Sequence, residues 1–280
     1  MEGWVDNRHD DALTHTVRLT DPDRAVEVVV VALPSPTYEI REAYCRALAG
    51  DVDPAVTGGF PRLAGTAMVA GLRPRVADVT GRGAGAGLVL DATIEAARLA
   101  RQVAKLPRER AERARQGPLA CWELDTTGWS DLPDSCFTYS EAGRALFATH
   151  IVVAAMRPDL YSPRPGQTRV FVRRKVARLE RGEETLVLFH SMHDDVHGFE
   201  ITYDVDRVSS RILRAHSVTP KLPYAGICSV AQRRIDALVG ETLDDGLRKR
   251  IQTHLGGVSG CAQLYDLTAD LLKLLRAERS

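Results

Sequence analysis

The feature that most constrains this chain is a long internal repeat. Gly71-Leu-Arg-Pro-Arg75 reads against Gly246-Leu-Arg-Lys-Arg250, an offset of 175 positions. That offset holds without a gap for about two dozen residues. Gly81 meets Gly256, Gly85 meets Gly260, Asp91 meets Asp266, Thr93 meets Thr268 and Arg98 meets Lys273. Upstream, Glu27-Val-Val-Val lines up with Glu200-Ile-Thr-Tyr, and Glu39-Ile-Arg41 with Ile212-Leu-Arg214, at an offset of 173. A two-residue difference belongs in a loop, where insertions are tolerated. A period this long denotes a duplicated domain rather than a solenoid. The expectation is an α+β protein, internally duplicated, each unit an antiparallel β-meander followed by helices. Duplication makes a pseudo-dimer within the chain the natural arrangement.

The second copy is the clearer. Arg169 to Leu179 alternates apolar and basic residues, as a half-buried strand does. Arg181-Gly182-Glu183 is a turn, and Thr185 to His190 a second strand. After turn residues at 194–198, Phe199 to Val205 and Ser210 to His216 form a further hairpin. These gaps are too short for parallel crossovers. Ser229 can cap a helix reaching Val239, with Val230, Ile235, Leu238 and Val239 on one face. Thr242 can cap another carrying Leu243, Leu247 and Ile251, ended by Gly256 and Gly257. A last helix runs from about Ala262 to Ala277.

The expected layout is therefore an N-terminal tail at 1–12 and a first copy at 13–107. A connecting region follows at 108–166, and the second copy spans 167–280. The connection holds a charged stretch from Pro107 to Pro118 and an irregular Trp-, Asp- and Pro-bearing segment from Cys121 to Tyr139. A helix is expected from Ser140 to about Ala155. A long irregular segment inside a compact protein is often functional or a covering flap.

Composition narrows the function classes. Lys and Arg number 37, as do Asp and Glu, so the basic excess of a sequence-independent nucleic-acid binder is missing. No apolar run approaches the ~20 residues that span a bilayer. The N-terminal MEGWVDNRHDDALTH lacks the pattern of a secretory signal. Five scattered cysteines, at 45, 121, 136, 228 and 261, suit a reducing compartment. Together these point to a cytoplasmic protein with neither nucleic acid nor membrane as partner.

Several motifs could carry chemistry. Gly81-Arg-Gly-Ala-Gly-Ala86 fits a dinucleotide fingerprint, with Val76 to Val79 as a possible preceding strand. The acid expected about 20 residues on is missing, since Asp91 and Glu95 come too early. The repeat explains these glycines better, as the loop before the last helix of each copy. In the second copy that loop is Gly256-Gly-Val-Ser-Gly-Cys261, a candidate binding loop through Gly256, Gly257 and Gly260. A thiol at a helix start meets the positive dipole end, which lowers its pKa. Cys261 is thus a candidate nucleophile, with His254 or His190 as base and loop N–H groups as an oxyanion site. A small apolar plug explains it equally well. Ser259 sits after a helix, so it is a poor nucleophile-elbow serine.

Cys228, in Pro223-Tyr-Ala-Gly-Ile-Cys228, opens another helix. Cys228 and Cys261 could lie on one edge and, with a third ligand such as Asp194, hold zinc or an iron–sulfur cluster. His190, His193, Asp194, Asp195 and His197 crowd one hairpin. His190 and His193 fall on opposite faces if the strand extends that far, so turn and surface roles come first. His216 is a single histidine and reads as structural. Leu132-Pro-Asp-Ser-Cys-Phe-Thr-Tyr139 could line a pocket, although Asx and Ser turn chemistry accounts for its polar residues.

The second copy resembles a bacterial family catalogued only as a domain of unknown function. Its pattern is a Pro-containing stretch ending in Cys, here Leu222 to Cys228, then Gly-Gly-x-x-Gly-Cys-x-His-Leu, here Gly256 to Leu264. Gln263 stands in place of the family's His. More distantly the layout is similar to iron–sulfur scaffold proteins of the NifU and SufE type and to the TSCPD domain. The resemblance implies a sheet-and-helix unit with a thiol edge. The functional expectation is a small-molecule or metal ligand at the cysteine edge of the second copy. An acyl- or thioester-transferring enzyme using Cys261 and a structural or assembly protein are the alternatives.

Overall fold

The computed structural model describes residues 1–276. The chain opens with four strands, β1 (Glu2–Asp6), β2 (Leu13–Thr20), β3 (Ala25–Ala32) and β4 (Ile40–Ala49). They pair antiparallel in the order β4-β3-β2-β1. The β2–β3 turn is closed by Asp21, whose carboxylate accepts the N–H groups of Asp23 and Arg24 at 2.9 and 2.6 Å. Register follows the apolar alternation. Leu13 faces Ala32 and Val17 faces Val28, and all four are fully buried with Val26 and Val30. Each such Val or Leu side chain contributes roughly 1.5–3 kcal/mol. The other face is polar, as an antiparallel sheet allows. There Glu27 binds Arg18 and Arg46, each at 2.6 Å, and Arg18 and Arg169 flank the Trp4 ring at 5.3 and 4.9 Å.

Helices α1 (Pro54–Gly59), α2 (Leu72–Thr80), α3 (Ala86–Leu99) and α4 (Arg108–Ala111) follow. The buried stripe of α3, Val89, Ala92 and Ala96, lies on β2 and β3. After these come α5 (Pro118–Gly128), α6 (Glu141–Ala145), the short strand β5 (Val153–Ala154) and α7 (Pro158–Tyr161). A second meander is formed by β6 (Phe171–Arg181), β7 (Thr185–Asp194), β8 (Gly198–Asp206) and β9 (Ile212–Lys221), adjacent in that order. The chain continues through β10 (Tyr224–Ala225), which pairs with β5, then α8 (Cys228–Gln232), α9 (Leu247–Leu255) and α10 (Ala262–Arg276). Among these helices none is long and apolar enough to cross a membrane.

The chain divides into two compact units. The first comprises residues 1–115, 127–130 and 157–173, and the second 116–126, 131–156 and 174 onward. In the second, α10 packs on β7 with Leu264, Leu267 and Leu271 buried. Polar bonds fix its rotation. Tyr203 Oη meets Thr268 Oγ1 at 2.7 Å, His190 Nδ1 meets the Leu267 carbonyl at 2.9 Å, and Lys175 pairs with Asp270 at 3.2 Å.

Several expectations need correction. Residues 2–6, expected as tail, are strand β1, whose five residues are too few to announce a period. Val76 to Val79 lie inside helix α2, so the Gly81 loop joins two helices and the dinucleotide context is missing. The helix expected from Ser229 to Val239 is one α-turn followed by a 3-10 stretch at 233–238. Only Ile235 and Leu238 of its expected face are buried, while Val230 and Val239 are exposed. Helix α9 starts at Leu247, not after Thr242, whose carbonyl instead accepts from Arg250. Ser140 caps α6 as expected, its hydroxyl accepting the Gly143 N–H at 3.1 Å, but that helix is short. The β-branched run Ile151-Val152-Val153 then turns extended. The expected end of the last helix, at Ala277, lies outside the described residues.

Candidate functional site

The second unit brings together three thiols from three separate segments. Cys136 precedes a 3-10 turn at Phe137–Tyr139, Cys228 opens α8, and Cys261 immediately precedes α10. The sulfurs are close enough to interact, Cys136 and Cys261 raising the pKa of Cys228, and Cys136 that of Cys261. The Thr138 hydroxyl lies 3.1 Å from Cys228 Sγ and also hydrogen-bonds Cys136. Cys228 is buried, whereas Cys136 and Cys261 are half-buried.

The irregular segment provides the third thiol, and its anchoring is explicit. The Phe137 N–H donates to the Gly260 carbonyl at 2.9 Å. Trp122 Nε1 on α5 donates to the Thr138 carbonyl at 2.8 Å. The fully buried carboxylate of Asp125, also on α5, accepts from Tyr139 Oη at 2.8 Å and from Tyr224 Oη. The two tyrosine rings meet edge to face at 6.2 Å, and Phe147 packs edge-on against Tyr224 at 5.9 Å. The segment is therefore held by buried polar bonds and aromatic packing, which makes it part of the edge rather than a linker.

At Cys261 burial opposes the helix-start N–H groups. The N–H groups of Leu264 and Gln263 do point at Cys261, with Leu264 N at 3.5 Å from Sγ. Burial, reinforced by Cys136, outweighs them and pushes the thiol up to about 11. Burial likewise takes Cys228 to about 12 and raises Cys136. These thiols are neutral at pH 7. His254, the proposed base, turns its ring to Glu241, Nε2 to Oε1 at 3.4 Å. His190 is tied to the Leu267 carbonyl.

The glycine loop is accounted for by its own backbone. The Gly256, Gly260 and Cys261 N–H groups donate to the Gln252, Gly257 and Leu255 carbonyls at 3.0, 2.9 and 2.8 Å, so they are not offered to an oxyanion. A Cβ at Gly260 would sit 2.0 Å from the Leu255 oxygen, and Gly257 has φ +69°. Close approach and a left-handed turn require both glycines.

Asp194 closes the β7–β8 turn. Its carboxylate accepts the Val196 and His197 N–H groups at 2.8 and 2.6 Å and contacts His197 Nδ1 at 3.1 Å. Among the described residues no three of His, Cys, Asp and Glu are placed to hold a metal ion, so Cys228, Cys261 and Asp194 are not assembled as one ligand set. His190 and His193 do fall on opposite faces, the first buried and the second exposed beside Glu200 at 3.4 Å.

The sequence reading missed Gln232. It stands four residues after Cys228 on α8, on the same face. Its side chain is directed at the Cys261 thiol and favours the ionised form. It is 7% exposed, and neither its amide oxygen nor its nitrogen makes a hydrogen bond of normal geometry. The i, i+4 spacing was visible in the sequence, but a helical Gln carries no signal of burial.

No curated protein and no solved structure is significantly similar to the chain. Residues 180–275, which include Cys228, Gln232 and Cys261 but not Cys136, match a family described as "Protein of unknown function (DUF2889)".

Proposed function

We propose that the second unit is a binding module that holds a small ligand against Cys136, Cys228 and Cys261. The observation that carries this reading is the convergence of three thiols from three segments, two of them on the Thr138 hydroxyl, on an edge where two of the three are half-buried. Catalysis by Cys261 has less support, because its thiol is neutral, His254 faces Glu241 and the N–H groups of Gly256, Gly260 and Cys261 are already used. A zinc or iron–sulfur centre also has less support, since no group of three ligands is in place among the described residues.

The two units are read as copies of one duplicated α+β unit. Support comes from matched elements. Each has a four-stranded antiparallel meander, β1 to β4 and β6 to β9, in sequential spatial order. Helices α2 and α9 keep the offset of 175, and β3 aligns with β8 at 173. In β4 and β9 the buried pairs are Ile40 with Ile212 and Ala43 with Ala215, an offset of 172 rather than 173. Ala86 stands where the second copy has Cys261, so a thiol site would be single.

Native mass spectrometry and metal analysis of protein purified without oxygen test the binding reading, with Cys228→Ser and Cys261→Ser alongside. The expected result is a co-purifying organic mass, lost from both variants, with metal well below one per chain. Metal near one per chain, lost in both variants, replaces the organic ligand with a metal centre. Neither mass nor metal in a folded protein favours a structural role.

A further inference from the structure

We infer that Gln232 is the specificity-determining residue of the thiol edge, and that the ligand it selects carries a neutral carboxamide-like edge, one donor beside one acceptor. The inference rests on the reading of that edge as a ligand site and names what the site would take. Three observations meet at this residue. Its amide is more than nine-tenths buried, and neither polar atom makes a hydrogen bond of normal geometry. Its position four residues after Cys228 puts it on the face of α8 that carries that thiol, and its side chain is directed at Cys261.

A buried amide whose one polar contact is a neutral thiol out of normal hydrogen-bond geometry is costly in a native fold and calls for an explanation. Apolar side chains of similar size, such as Met or Leu, would fill the position at no such cost. An amide presents one acceptor and one donor group in a plane. The group that satisfies both at once is another planar donor–acceptor edge. A carboxylate offers acceptors only and would face the amide oxygen unfavourably. An ammonium offers donors only. The surrounding thiols are neutral and the nearby hydroxyl of Thr138 is uncharged, so no fixed charge is present among these groups to recruit an ion.

The arrangement has the sign of a functional residue, in that stability and binding should move in opposite directions. Removing the poorly paired amide relieves the free protein and deprives the ligand of its partner.

Thermal unfolding with primary amides of increasing size as probes (formamide, acetamide and benzamide) tests this. N,N-dimethylbenzamide, which lacks the donor, and benzoate, which lacks the donor and adds charge, serve as controls. In the wild-type chain at least one primary amide should raise the Tm saturably, and the controls should not. Gln232→Leu should unfold a few degrees higher than wild type without probe and show no response to any amide. Gln232→Asn, which keeps the amide on a shorter stem, should lie between them. A Gln232→Leu protein that unfolds lower than wild type, an amide response that survives in it, or no response to all three amides in the wild type would each overturn the inference. If a co-purified organic mass still depends on Cys261 while no amide binds, the ligand site stands and only this assignment of its chemistry falls.

Discussion

At the scale of single residues, burial decides the chemistry of this molecule more than local charge does. Cys261 shows it directly. Two helix-start N–H groups favour its thiolate, yet the thiol rises from 9.0 to about 11. A shift of that size leaves the thiolate about a hundredfold scarcer at neutral pH. Alkylation of Cys261 by iodoacetamide at pH 7.5, followed by peptide mass spectrometry, should therefore be about two orders of magnitude slower in the folded chain than in urea. Faster labelling in the folded chain would restore the nucleophile reading. His15 on β2 follows the same rule. It is 1% exposed, and burial lowers its pKa from 6.5 to about 4 against the weaker pull of the Val30 carbonyl. Above pH 6.5 both folded and unfolded chains hold it neutral. Between 6.5 and 4 only the unfolded chain takes up the proton, so stability falls as pH falls, by up to about 3 kcal/mol across the window. Urea unfolding at pH 7 and pH 4 should show a loss of that order in wild type relative to His15→Leu. Equal losses in the two proteins would show that His15 does not titrate in this way.

At the scale of elements, what was legible in the sequence tracks how strongly one periodicity dominates. The strands β6 to β9 announce themselves because apolar and polar residues alternate along much of β6 and β8 and turn residues separate all four strands. Helix α10 does so through Leu264, Leu267, Leu271 and their spacing. Short elements did not, because one turn of α8 followed by a 3-10 stretch has too few residues to fix a face. The site was half legible. Cys228 and Cys261 could be placed at helix starts by the pattern, but the arrival of Cys136 beside them depends on long-range pairing such as the bond from Phe137 to Gly260. No local pattern encodes a contact more than a hundred residues away. Neighbouring glycines in α1 test how far backbone space explains sequence. A Cβ at Gly58 meets nothing within 4 Å, whereas one at Gly59 would sit 2.1 Å from the Val79 oxygen. Gly58→Ala should stabilise by about 0.4–1 kcal/mol through the unfolded chain. Gly59→Ala should destabilise by roughly 2 kcal/mol or more, because it must move backbone. Denaturant midpoints of the two variants read the opposite signs. A Gly59→Ala protein as stable as wild type would mean that the α1–α2 approach yields easily.

At the scale of the whole molecule, two units of matched element order carry different chemistry on the corresponding loop. In the first, the loop before α3 is held by a bond from Asp53 N–H to the Ala84 carbonyl at 3.0 Å, and it ends in Ala86. In the second, the loop before α10 receives Phe137 N–H at Gly260 and ends in Cys261. One reading accounts for both: a loop that needs a backbone donor from outside it, met in one unit by the start of α1 and in the other by the thiol-bearing segment. Each unit also has its own buried centre, Val89 with Val28 in the first and Leu267 with Ile201 in the second, all at 0% exposure. Truncating such side chains costs about 1–5 kcal/mol. Stability built on separate cores predicts local consequences. In Val89→Ala, amide hydrogen exchange should quicken in β2 and β3 and leave β7 and β8 near wild-type protection; Leu267→Ala should do the reverse. Exchange that rises equally in both meanders with either variant would show that the chain unfolds as one cooperative body, whatever the ancestry of its halves.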